Sequence, residues 1–138
     1  MTGPCTRVYH EDVREAANMG PTEGASMERV NEHELAYRSG DSGAKYLFRG
    51  PRIDWGVLRL APGGTLGHHY HERVEETFYF VRGEPRMIVN GTEFRVRQGD
   101  AVRLSPLDRH DIVNDTDAVV DCVFIKSSYE PKDKVDVR

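Results

Sequence analysis

Cysteine is nearly missing from this chain: its 138 residues include two, Cys5 in a polar N-terminal stretch and Cys122 inside an apolar run. Two thiols so far apart, in such different contexts, exclude a disulfide framework. Long apolar runs are missing as well. Nothing approaches the ~20 residues that cross a bilayer, and the N-terminus lacks the short apolar core of a signal peptide. The expectation is a soluble, cytoplasmic protein with no membrane partner. Positive charge is in short supply, with a net charge of −4 and Lys and Arg scattered along the chain. A nucleic-acid surface needs a basic stripe, and none is present. No helix-turn-helix pattern or second domain accompanies the rest, which argues against a ligand-sensing transcription factor.

Helical periodicity is equally scarce. One amphipathic stretch, His10 to Asn18, has the spacing of a short helix, and Gly20-Pro21 ends it. Residues 1–27 are otherwise polar and rich in Gly, Thr and Glu, and read as a mobile N-terminal arm. His10 and His33 read as solvated surface residues. The remaining length fits one domain, large enough to bury a core without staples.

What is present is β-structure. Strand-like runs cover 44–49, 53–61, 85–90, 92–97, 101–104, 111–113 and 118–125, separated by Gly, Pro and Asn turns. Asn90-Gly91 joins two of them and is the strongest short hairpin signal. In the second, Phe94 and Val96 alternate with Glu93, Arg95 and Arg97, predicting one dry face. The run Ala118–Ile125 is the most apolar in the chain and belongs in the middle of a sheet. Residues 127–138 are charged and read as a surface tail, leaving 28–126 as the domain. Many short strands and almost no helix describe an all-β sandwich or barrel.

The chemistry concentrates between Gly63 and Gly83, which hold three of the six histidines. His69 and His71 are two apart, so in an extended chain both imidazoles face one way while His68 faces the other. After a turn, Glu76 opens a β-branched and aromatic run, on the same side as Phe78 and Phe80. Two histidines and a carboxylate make a partial coordination sphere, and His110 is the obvious further ligand. Asn114, four residues on and on the same side, either orients a ligand or holds a turn.

The spacing Gly63-x5-His69-x-His71-x4-Glu76-x6-Gly83 resembles the first motif of the cupin superfamily. Gly99-x5-Ser105-Pro106-Leu107-x2-His110-x3-Asn114 resembles the second, and fifteen residues separate the two. Ser105 stands where the family usually has proline and Leu107 where it usually has glycine. Both departures bear on the turn before the histidine rather than on the ligand. The resemblance implies a single-domain, jelly-roll-like β-barrel. It also implies one divalent transition metal per chain, held by His69, His71, Glu76 and His110. Glu75 competes for the carboxylate role, but strand phase and the distance to Gly83 select Glu76.

Imidazole and carboxylate ligands suit Mn, Fe, Co, Ni, Cu or Zn, and the absence of thiolates argues against a closed structural zinc site. Phe78, Phe80 and Ile112 are the expected walls of a substrate pocket. Three functions fit such a site. The favoured one is an oxygenase- or decarboxylase-type enzyme acting on a small oxygen-bearing molecule. A sugar or sugar-phosphate isomerase would need basic residues at the cavity mouth, for which Arg49, Arg59, Arg103 and Arg109 are candidates. The third is a non-catalytic binding or storage module. An exposed arm and open sheet edges further lead to an expected homodimer.

Overall fold

The computed structural model describes residues 27–138, so the expected helix over His10–Asn18 and nearly all of the expected arm lie outside the described residues. From Asn31 onward the chain forms one unit, with a single short 3-10 turn at Glu32–Glu34. The rest is strands: β1 Gly43–Arg49, β2 Asp54–Leu60, β3 His69–His71, β4 Glu76–Arg82, β5 Arg86–Val89, β6 Thr92–Arg95, β7 Ala101–Leu104, β8 His110–Val113, β9 Val120–Lys126 and β10 Lys134–Asp136. They make two five-stranded sheets, ordered β1-β2-β9-β4-β7 and β10-β3-β8-β5-β6. No described helix is long and apolar enough to cross a membrane.

Alternation sets the core. In β2 the buried residues are Asp54, Gly56, Leu58 and Leu60, and in β9 Val120, Cys122 and Phe124. Register places Leu58, Cys122 and Phe80 in one row across three strands, and Gly56, Phe124 and Phe78 in the next. Met87 on β5 and Ile112 on β8 belong to the other sheet, and with Val96, just past the end of β6, they complete the core. Burying each large apolar side chain contributes about 1.5–3 kcal/mol, so these rows carry much of the stability. β9, the most apolar run, occupies the middle of its sheet. The Asn90-Gly91 turn joins β5 to β6 with both residues at positive φ, as a two-residue hairpin requires.

The fold departs from the sequence reading at β6 and at the C-terminus. Phe94 is 38% exposed, because β6 is an edge strand, and of its expected dry face Val96 alone reaches the core. Residues 127–138 are no surface tail: β10 pairs with β3 through Lys134↔His71, Val135↔Tyr70 and Asp136↔His69, and Asp133 is buried. The domain therefore continues past residue 126.

Asn114 holds a turn. Its side-chain amide donates to the carbonyls of Leu60 and Ala118 at 2.9 and 2.8 Å, and its Oδ1 accepts from the Thr116 backbone N–H and hydroxyl. Leu107, in the turn before His110, has φ +74° and is 63% exposed, with its N–H donating to the His71 carbonyl at 2.7 Å. A left-handed backbone costs an L-residue about 1–2 kcal/mol, of which the entropy of glycine returns roughly half. Leu107→Gly should therefore raise stability by about 0.5–1 kcal/mol, seen as a melting temperature up by about 2–4 °C. A lowered melting temperature would mean that the Leu107 side chain makes a contact of compensating worth.

Candidate metal centre

Two sheets contribute to the site. β3 and β8 meet at a single register pair, His69↔His110, which sets their imidazoles side by side with ring centroids 4.3 Å apart. Two residues along β3, alternation brings His71 back to the same face. Glu76 comes from the opposite sheet, as the first residue of β4. All four are buried, and one ligand atom from each lies within 4.8 Å of the others. Strand phase sorts the neighbours as expected: His68 is exposed, and Glu75 is exposed with its carboxylate 3.7 Å from Arg103.

The hydrogen bonds fix how these rings point. His69 Nδ1 donates to the Gly67 carbonyl at 2.7 Å, and His110 Nδ1 to the Asp108 carbonyl at 2.9 Å. A carbonyl can only accept, so each Nδ1 carries the proton and each Nε2 turns toward the cluster. Glu76 Oε1 stands 3.2 Å from His71 Nε2 and 3.3 Å from His110 Nε2. Yet those three buried atoms have no hydrogen-bond partner. Lone pairs brought together without a partner are costly unless a cation sits among them. Separations of 3.2–3.3 Å match the about 3.0–3.4 Å between neighbouring ligands of a metal with bonds of about 2.0–2.2 Å. The four residues present therefore fit a single divalent transition metal.

Electrostatics keeps the donors ready. Burial pushes the His69 imidazole down to about 4, against the pull of the Gly67 carbonyl, so the ring is neutral at neutral pH. Burial works to raise Glu76, but the His110 and His71 imidazoles outweigh it and hold the carboxyl at about 2. A metal cation held by the four donors would keep the carboxylate ionised in the same way.

Above the cluster opens a cavity of about 190 Å³, walled by Leu58, Leu66, Phe78 and Phe124. Phe78 was expected there. Phe80 and Ile112 were too, but both are fully buried in the core and take no part in the lining. They share a face with the ligands but sit at a different height along the barrel. Of the four arginines considered for the mouth, Arg49 lines the cavity, where Asp54 holds it at 3.3 Å. Arg59 is paired with Asp121, Arg103 faces Glu75, and Arg109 lies over the Tyr70 ring.

A model of the cupin domain family matches residues 56–126, about half of the chain and all four candidate ligands. The chain is a cupin. Among proteins similar to this cupin is the tetracenomycin polyketide synthase protein TcmJ of Streptomyces glaucescens, 31% identical over 77 residues, or 56% of this chain and 52% of that protein. The chain thus spans about half the length of this curated relative. Similar solved structures include an uncharacterised conserved protein with a double-stranded β-helix domain from Klebsiella pneumoniae. It is 16% identical, with a TM-score of 0.71 over 82% of this chain and 99% of that one. Oxalate oxidase in complex with the substrate analogue glycolate is 20% identical, with a TM-score of 0.69 over 86% of this chain and 68% of that one. At such identities these structures speak for the fold.

Three residues escaped the sequence reading. Asp133 accepts from the backbone N–H groups of Arg73 and Val74 at 2.9–3.1 Å, and its Oδ2 lies 3.8 Å from His71 Nδ1. No pattern in Glu130-Pro-Lys-Asp133 announces this. Lys126 and Tyr46 line the cavity. Extending the inward alternation Val120, Cys122, Phe124 by one more step would have found Lys126.

Proposed function

We propose that this cupin is a metal-dependent enzyme of the oxygenase or decarboxylase type, acting on a small oxygen-bearing organic molecule. The observation that carries the reading is the set of four buried ligands converging at the foot of a cavity only about 190 Å³ in volume. A cavity near 150 Å³ accommodates a molecule about the size of benzene, so the substrate is a small one. When bound, the metal supplies Lewis acidity or one-electron chemistry to a chelating substrate. The chain's own residues do the rest. Leu58, Leu66, Phe78 and Phe124 exclude bulk water from one side of the cavity. His69 and His110 are held in one tautomer by backbone carbonyls, so their Nε2 atoms stay directed at one point. The likeness to oxalate oxidase with glycolate bound supports small hydroxy or keto acids as the first substrates to try.

A second reading, a sugar-phosphate isomerase, is favoured by the basic residues Arg38, Arg49, Lys126 and Lys134 in the cavity lining. Elemental analysis of protein purified without added metal, followed by oxygen-uptake assays on oxalate, glycolate and small enols, separates the two. Oxygen uptake or carbon dioxide release supports the first. A metal-loaded protein inert in both, but interconverting aldose and ketose phosphates, supports the second; failure to retain any divalent transition metal sinks both. We further propose a cytoplasmic homodimer, supported by Tyr79, Val81 and Ile125, exposed apolar residues on β4 and β9. Sedimentation as a monomer at micromolar concentration would count against it.

A further inference from the structure

Lys126 ends β9 in the inward phase of Val120, Cys122 and Phe124, and it lines the cavity. Its Cα partners across the sheet are Asp54 on β2 and Glu76 on β4. Cross-strand partners lie about 4.5–5.5 Å apart, so this lysine is rooted next to a metal ligand. Asp54 is taken up by Arg49, which reaches it at 3.3 and 3.4 Å. Among the described residues no carboxylate lies within ion-pair distance of the Lys126 amine; what it meets is the Tyr46 hydroxyl, at 2.8 Å.

That contact settles the donors. Lysine has three N–H groups and no acceptor, so Tyr46 Oη accepts and its own proton is left to point elsewhere. No acceptor for it occurs among the described residues. Two N–H groups of Lys126 are likewise uncommitted. Both side chains are held in place: the Tyr46 ring packs edge-on against Phe124, centroids 5.0 Å apart, and the amine lies 5.2 Å and 5.8 Å from the two ring centroids. Donors fixed beforehand lose little entropy when a ligand arrives. The rest of the lining has the same sign. Arg38, Arg49 and Lys134 join Lys126, against Glu130 and the metal ligand Glu76.

We propose that Lys126 and Tyr46 form a second binding point in the cavity, one that receives a carboxylate carried by a substrate whose other oxygens face the His/Glu cluster. The substrate is then a small diacid rather than a monocarboxylate, a neutral enol or a diketone. This rests on the metal-dependent reading above and narrows its substrate class. A cationic amine beside a phenol hydroxyl, in a partly dry wall, is a charge-assisted donor pair suited to a carboxylate.

The test uses the full chain loaded with zinc, which is redox-silent, and calorimetric titration with oxalate, malonate and succinate, each beside its monoamide. The monoamide keeps one carboxylate for the metal and neutralises the other. For at least one pair, wild type should bind the diacid at least about tenfold tighter than the monoamide, the worth of one charge-assisted contact. In Lys126→Met that ratio should fall to near one with zinc affinity unchanged. Tyr46→Phe, which keeps the ring packing and removes only the hydroxyl, should reduce it in part. Equal binding of diacid and monoamide to wild type, no binding of any diacid, or a ratio preserved in Lys126→Met would overturn the proposal. So would a Lys126→Met protein that loses zinc as readily as diacid, since the lysine would then act through Glu76. Should wild type take up no metal yet keep a Lys126-dependent preference for diacids, the anion site stands and the metal-dependent reading falls.

Discussion

His69→Ala should lower metal affinity by more than about 100-fold, because losing even an outer-shell partner of a ligand costs about 10–100-fold. His68→Ala, one residue earlier, should change it by less than about threefold, since it removes no inner-sphere donor. The two side chains are chemically identical neighbours, and only strand phase separates them. His69 is 3% exposed, with its Nδ1 tied to the Gly67 carbonyl, whereas His68 is exposed and uses its backbone carbonyl to accept from the Val137 N–H. Glu76→Gln and Glu75→Gln give the same contrast from the facing sheet, with Glu75 paired to Arg103 at the surface. Competition with a metal-sensitive dye at neutral pH measures all four. If His68→Ala releases the metal while His69→Ala keeps it, the ligand set is wrong.

That contrast was legible in the sequence because alternation is a local property. A three-residue strand with histidine at both ends, followed by a turn and a second phased strand, is enough to say which side chains share a face. The shared face of His69 and His71, the phase of Glu76 and the Asn90-Gly91 hairpin follow from such local rules. The full ligand set with His110 came instead from the resemblance to the two cupin motifs, and the central position of β9 from its apolar composition. Height along the barrel does not. Phe78, Phe80 and Ile112 have the right phase, but register sets Phe78 beside the cavity and leaves the other two in the core. Phe94 fails for a related reason: period two reports a face, while the cover over that face depends on which strand lies next, and β6 has no neighbour on one side. The C-terminal strand was missed because its attachment is made by backbone groups, which leave no mark on composition, and by one buried aspartate, a residue type that composition rules put outside.

That aspartate carries the second large expectation. Asp133→Ala should destabilise the domain by about 2–4 kcal/mol, because it strands two backbone N–H groups at roughly 1–3 kcal/mol each. Those groups belong to Arg73 and Val74, in the turn linking β3 to β4, and Val74 is 1% exposed. Against a total stability of about 5–15 kcal/mol the loss is a large fraction. The same turn sets the distance between His71 and Glu76, and Asp133 Oδ2 is the polar atom beside His71 Nδ1, at 3.8 Å. Metal affinity should therefore fall as well, by about 10–100-fold, as for other partners that orient a ligand. Removing residues 127–138 deletes this clamp together with β10, which leaves β3 paired at the single position His69↔His110. Three residues held by that pair and by the Leu107 N–H bond to the His71 carbonyl keep two imidazoles on target less firmly than the paired strand does, so the truncated chain should bind metal no better than Asp133→Ala and should unfold at lower urea. Urea titration and dye competition on wild type, Asp133→Ala and the truncated chain measure both quantities. A truncated protein that matches wild type in urea midpoint and metal affinity would return the C-terminal segment to the surface and leave the turn to hold itself.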